Sequence, residues 1–98
     1  MLLPEGSVFS DSSAAIEIKG FAHSNVVRNN TIRGRARTAL AIETFKFGYP
    51  EDNAFIDNQL EGFHASLAST LVGSGVLRTR LVHPRTVVDR GVGTTIER

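Results

Sequence analysis

The chain is expected to fold as an all-β solenoid, a stack of about three to four parallel coils, on three observations. The stretch Asn25–Gly34, NVVRNNTIRG, returns at Asn53–Gly62 as NAFIDNQLEG; Asn25/Asn53, Asn30/Asn58, Ile32/Leu60 and Gly34/Gly62 all recur at a spacing of 28. A second pattern, AAIEIK at Ala14–Lys19, returns in ALAIETF at Ala39–Phe45, with Ala41-Ile42-Glu43 matching Ala15-Ile16-Glu17 at a spacing of 26. No window has good helical spacing, and the repeat is too short to hold a crossover helix. Internal repetition at a period of roughly 20–50 residues specifies architecture before chemistry.

Residues 1–13 read as a lead-in, since Pro4, Gly6 and the Ser10–Ser13 cluster favour turns. Ala14–Lys19 alternates, Ile16 and Ile18 against Glu17, which is strand periodicity. Gly20–Ser24 is expected to turn. In Asn25–Gly34, Val27 and Ile32 point inward around a bend at Asn29–Asn30, where Asn tolerates a left-handed backbone. Arg35–Thr38 reads as a polar connector. Ala36–Thr44 has the best helix propensity of the chain, but its match to AAIEIK makes it a strand. The unit Asn53–Gly62 buries Phe55 and Leu60 by the same logic. ASLAST at Ala65–Thr70 is a degraded third copy of the first strand. Gly73–Gly75 turns the chain, and Val76–Leu81 is expected to repeat the second unit at a spacing of 21, with Val76 over Phe55, Thr79 over Asn58 and Leu81 over Leu60. Length variation confined to connectors is what stacked repeats allow. Residues 14–82 therefore form the coils, and 83–98 a last partial coil or C-terminal cap.

Stacked coils advance about 4.8 Å each. Like residues then sit on like: Ile16 on Ile42, Val27 on Phe55, Ile32 on Leu60, and Asn30 over Asn58 as an amide ladder. In this arrangement N-x-V-x-x-N-x-I-x-G at 25–34 and N-x-F-x-x-N-x-L-x-G at 53–62 resemble the right-handed parallel β-helix repeats of the pectate-lyase-like superfamily. The resemblance covers about residues 14–82 and implies a right-handed parallel β-helix. It is nearly silent about chemistry, because that superfamily holds lyases, polygalacturonases, epimerases, tailspikes, adhesins and non-catalytic modules.

The 98 residues suffice for one small domain, and the formal net charge of +1 argues for no nucleic-acid partner. The charge is segmented. Lys19, Arg28, Arg33, Arg35 and Arg37 stand in 19–42 without an acid, and 43–61 holds five acids against Lys46. Stacking would pair these segments, with Arg33 against Glu61; the sharper alternative is a polyanion-binding face of Arg28, Arg33, Arg35 and Arg37. The chain has no cysteine, which excludes disulfides and thiolate chemistry. No signal peptide or apolar run of membrane-spanning length is present, so no membrane partner is expected and the compartment stays unassigned.

Candidate chemistry is sparse. Glu17 and Glu43, stacked outward on adjacent coils about 5 Å apart with Ser69 continuing the row, are the only geometric candidates for a glycosidase-type carboxyl pair. With added oxygen ligands they form a Ca²⁺ site; no other cofactor is implied. The Asp cluster with adjacent His and downstream Arg-Ile-Lys run of polygalacturonase-like enzymes has no counterpart. His23, His64 and His83 are all expected at turns and not to converge on a metal. Phe45, Lys46, Phe47 and Tyr49 share the longest loop and offer a sugar-stacking platform; Arg33 and Arg35 are further ligand-binding candidates. The expected function is a non-catalytic β-helix module associated with polysaccharide and belonging to a larger solenoid. The alternative is a fragment of a polysaccharide lyase or glycoside hydrolase. An uncovered first coil leads to the further expectation of missing N-terminal coils or end-to-end self-association.

Overall fold

The computed structural model describes residues 8–44 and 48–98, and the side chains of 14–44 and 48–98. The chain alternates between two four-stranded parallel sheets. One holds β1 (Val8–Lys19), β3 (Thr31–Glu43), β5 (Gln59–Val72) and β7 (Val87–Asp89); the other holds β2 (Val26–Arg28), β4 (Ala54–Ile56), β6 (Arg80–Val82) and β8 (Thr95–Glu97), each set in that spatial order. Each pass of the chain thus adds one strand to each sheet. A further row of parallel bridges joins His23, Glu51, Leu77 and Val92. The protein is all-β, with no helix among the described residues.

The core lies between the sheets. Ile16, Ile18, Leu40, Ile42 and Val72 contribute from the long strands, and Val27, Phe55 and Leu81 from the short ones. Val27 pairs with Phe55 and Ile32 with Leu60, as the repeat predicts. Ile32 is fully buried, whereas Leu60 is only half-buried.

Two expected registers and two element boundaries are corrected. Ile16 pairs with Leu40 and Ile18 with Ile42, a spacing of 24 rather than 26. A slip of two residues keeps every inward side chain inward, so alternation alone cannot choose between the two. Leu81 pairs with Phe55, not with Leu60, and Arg80 with Ala54, a spacing of 26 rather than 21. Thr79 consequently continues the Asn25–Asn53 row, and Val76 is buried outside the β2–β4–β6 rows. Finally, Arg35–Thr38 runs inside β3 as strand, and β1 begins at Val8, within the supposed lead-in.

Corners explain the register of the short strands. Ser24 and Asn29, Asp52 and Asp57, and Arg78 and His83 all have φ between 51° and 56°, a left-handed residue on either side of β2, β4 and β6. This conformation is uncommon for non-glycine residues. Its recurrence at a spacing of five fixes where the strand starts and stops, whatever apolar residues lie nearby. In the long strands, Gly62 (φ 62°) admits one extra residue: Ile32 pairs with Leu60 but Gly34 with Phe63.

Two amide ladders tie the passes together beside these corners. Asn53 Oδ1 accepts from the backbone N–H of Asn25 at 2.8 Å and from its Nδ2 at 3.1 Å, and Asn53 Nδ2 donates to the Ala22 carbonyl at 2.9 Å. Asn58 does the same for Asn30 (3.2 and 3.1 Å) and donates to the Val27 carbonyl at 2.9 Å. On the next pass Thr79 stands in the Asn53 row, and its buried Oγ1 has no partner. Thr79→Asn should extend the ladder, accept from the Asn53 N–H and stabilise the protein by about 1 kcal/mol, the net worth of one such bond. A higher midpoint in thermal melting checks this; an unchanged or lowered midpoint would show that the row does not admit a third amide.

Candidate functional site

Glu17 and Glu43 are brought together, though not as stacked partners. Glu17 pairs with Ala41, and Lys19 with Glu43, so the two carboxyls meet on a diagonal. Leu71, not Ser69, continues the Glu17 row. The Glu17 side chain is 21% exposed and lies 3.5 Å from Lys19 Nζ. Burial raises its pKa above the ordinary carboxyl value, and a hydrogen bond with Glu43 raises it further, against the opposing pull of Lys19. Glu17 therefore holds its proton more readily than an isolated glutamate does. A carboxyl whose folded pKa is raised contributes stability that is present below its unfolded pKa, near 4.5, and lost as pH rises through the folded value. Glu17→Gln should remove this pH-dependent loss, so that melting midpoints of variant and wild type diverge in the variant's favour from pH 4 to pH 7; parallel curves would exclude it. Carboxyls in hydrogen-bond contact also leave no gap for a glycosidic oxygen, which glycosidases bracket at roughly 5–10 Å.

A different grouping forms where the chain enters the short strands. Phe45, Lys46 and Phe47 lie outside the described residues. Tyr49 is 55% exposed. Because His23 pairs with Glu51, Phe21 falls in the row of Tyr49 on the preceding pass, and Phe21 is 70% exposed. Gly48 permits this approach. A Cβ there would come within 2.6 Å of the Gly20 carbonyl carbon and 2.9 Å of the Phe21 nitrogen. On the following pass Gly75 lies beneath the Tyr49 ring, where a Cβ would stand 3.3 Å from Cδ1. Two open aromatic faces thus occupy one row, with a glycine beside them. Phe21 was overlooked because Gly20–Ser24 reads as a simple turn; its spacing of 28 from Tyr49 was the available signal.

The arginines serve mainly to bind neighbouring passes. Arg33 Nη2 reaches Glu61 Oε2 at 3.0 Å, the predicted pair. Arg78 grips Asp52 with Nε at 2.8 Å and Nη2 at 3.2 Å, and touches Glu51 at 3.2 Å. This fork holds the Asp52 carboxyl below its ordinary pKa. Arg80 pairs with Glu97 at 3.1 Å. Arg28, Arg35 and Arg37 are exposed, but Arg28 belongs to the other sheet and does not continue the β3 row. Exposed pairs of this kind stabilise little, and their use is in register. The histidines do not converge: His23 lies 3.7 Å from Glu51, His64 is in β5 rather than a turn, and His83 Nδ1 meets Asp57 Oδ1. Among the described residues no group of three or more His, Asp or Glu side chains is placed to hold a metal ion.

A cleft marks the last pass. His83–Thr86 carries the chain directly from β6 to β7, and β7 pairs only with Thr70–Val72. Gln59–Leu67 therefore has β3 on one side and no strand on the other among the described residues. Beside this shelf a narrow cleft of about 20 Å³, partly open to solvent, is lined by Leu40, Phe55, Leu60, Val82, Pro84 and Arg85. Thr86 Oγ1 fastens the crossing, accepting from the Ser69 N–H at 2.8 Å and donating to Ser69 Oγ at 3.1 Å. No family model matches the chain, and neither a curated protein nor a solved structure matches it.

Proposed function

We propose that the chain is a non-catalytic right-handed parallel β-helix module of a larger solenoid that binds polysaccharide through Phe21 and Tyr49. Two parallel sheets filled alternately by successive passes, a further row of parallel bridges and amide ladders at matching corners support the architecture. β1 and β2 each end their sheet at one edge among the described residues, and open edges of this kind favour a stacked neighbour. The observation that carries the binding reading is the exposed Phe21–Tyr49 row. Sugar rings stack their C–H faces on aromatic faces, and aromatic side chains have few rotatable bonds to immobilise on binding. Tyr49 is the chain's single tyrosine and there is no tryptophan, so intrinsic tyrosine emission reports on this row alone. Titration with polygalacturonate and with a neutral glucan should change that emission saturably for at least one of them. Phe21→Ala should weaken binding about tenfold, the scale of one stacking contact of ~1.4 kcal/mol. Binding measured by titration calorimetry and unaffected by Phe21→Ala and Tyr49→Ala together, in a protein with unchanged circular dichroism, would sink the reading.

A further inference from the structure

The shelf at Gln59–Leu67 has a backbone, a groove and charges that together describe a ligand, and they do so independently of the polysaccharide reading. Gln59 N–H donates to the Asn30 carbonyl at 2.8 Å, so in a parallel ladder the peptide groups of Leu60 face the opposite, unpaired side. The Ile32–Leu60 row ends at the cleft, where Leu60 and Pro84 leave an apolar slot. The neighbouring row ends in Glu61, whose Oε2 is taken by Arg33 while Oε1 meets no described partner. At the other side stands Gln59, next to Arg85, whose guanidinium meets no acid among the described residues.

We infer that this shelf docks an extended peptide segment of a partner protein, added as a strand parallel to β5 and carrying an acidic–apolar–basic triplet in chain order. The acid faces Arg85 in the Gln59 row, the apolar side chain enters the slot over Leu60, and the base completes an Arg33–Glu61–base ladder. Main-chain bonds supply affinity and the alternating side chains supply selectivity, as in other strand additions. The shelf suits a short segment rather than a long strand of a second copy. The extra residue at Gly62 and a second register shift between Ala65 and Ala68 bend the edge, and bent edges resist extended self-pairing.

Fluorescence anisotropy with a labelled nonapeptide centred on Glu-Ile-Lys tests this on the full chain. Saturable binding is expected, at least tenfold weaker for the charge-swapped Lys-Ile-Glu peptide and for Arg85→Glu. The double variant Glu61→Lys, Arg85→Glu should invert the preference and so show that the fold survives. N-methylation of one alternate set of peptide amides should abolish binding while the other set leaves it intact, a signature that a merely charged patch does not produce. Equal binding of the two charge orders, indifference to N-methylation, or no binding of either peptide would overturn the inference. So would a concentration-dependent dimer in light scattering that Arg85→Glu dissolves, which would assign the edge to a second copy.

Discussion

Phe55→Ala should destabilise the protein by about 3–5 kcal/mol, the usual range for deleting a buried aromatic ring. Phe55 is 3% exposed and stands between Val27 and Leu81 in one continuous row across β2, β4 and β6. Its ring also lines the cleft, so the cavity left behind would open into it. Leu60→Ala serves as the comparison. Leu60 is half-buried at the same cleft, and its loss should cost less than about 2 kcal/mol, below the range for a fully buried leucine. Chemical denaturation of both variants checks the order; a larger loss for Leu60→Ala would mean that the outer half of β5, not the short-strand sheet, anchors the core.

The second large effect is expected at Gly48. Atoms of Gly48→Val would have to occupy space 2.6 Å from the Gly20 carbonyl carbon and 2.7 Å from its Cα. Those are backbone atoms of the preceding pass and cannot rotate aside, so the cost should reach the upper end of the ~1–3 kcal/mol seen for overpacking, or exceed it. Separating the two passes there would also part Phe21 from Tyr49. On the proposed reading, the variant should therefore lose polysaccharide binding at temperatures where it is still folded. A Gly48→Val protein with normal melting would show that the loop slides past Gly20 without strain.

How much of this was legible depended on which residues repeat. Asn25, Asn30, Asn53 and Asn58 share a side chain that only a ladder and a corner require, so their recurrence gave the register of Val27 on Phe55 and Ile32 on Leu60. The third pass has Thr79 where an Asn would mark the row, and the search for apolar matches settled on Val76 instead of Leu81. The true markers, left-handed corners, are filled by Ser24, Asp52 and Arg78 and by Asn29, Asp57 and His83. Within each corner the three residues differ, so no shared letter marks it. The Glu17–Glu43 contact was foreseen by a register that is wrong by two residues; long side chains reach across the diagonal and restored it. Phe21 and the His83–Thr86 shortcut were missed because one depends on a neighbour two sheets' turns away in sequence and the other on strand that is not there. All-β character needed neither, since alternation and the lack of helical spacing sufficed.

The near-constant pairing distance has a kinetic consequence. Partners from β1 to β6 lie 24 to 30 residues apart, about a quarter of the chain, and only the last pairings, β5 with β7 and β6 with β8, are shorter, at 17 and 15. Every pass before the last therefore closes a loop of nearly the same length and meets nearly the same entropic cost. The first closure has no template and is the slow one; each later strand adds to an edge already formed, as growth on a nucleus does. A chain so dominated by non-local contacts belongs with the millisecond-to-second folders. Its growth should proceed outward from the Asn53–Gly62 pass, where both amide ladders anchor, and a truncated or stalled intermediate should consist of whole passes rather than a loosened version of all of them.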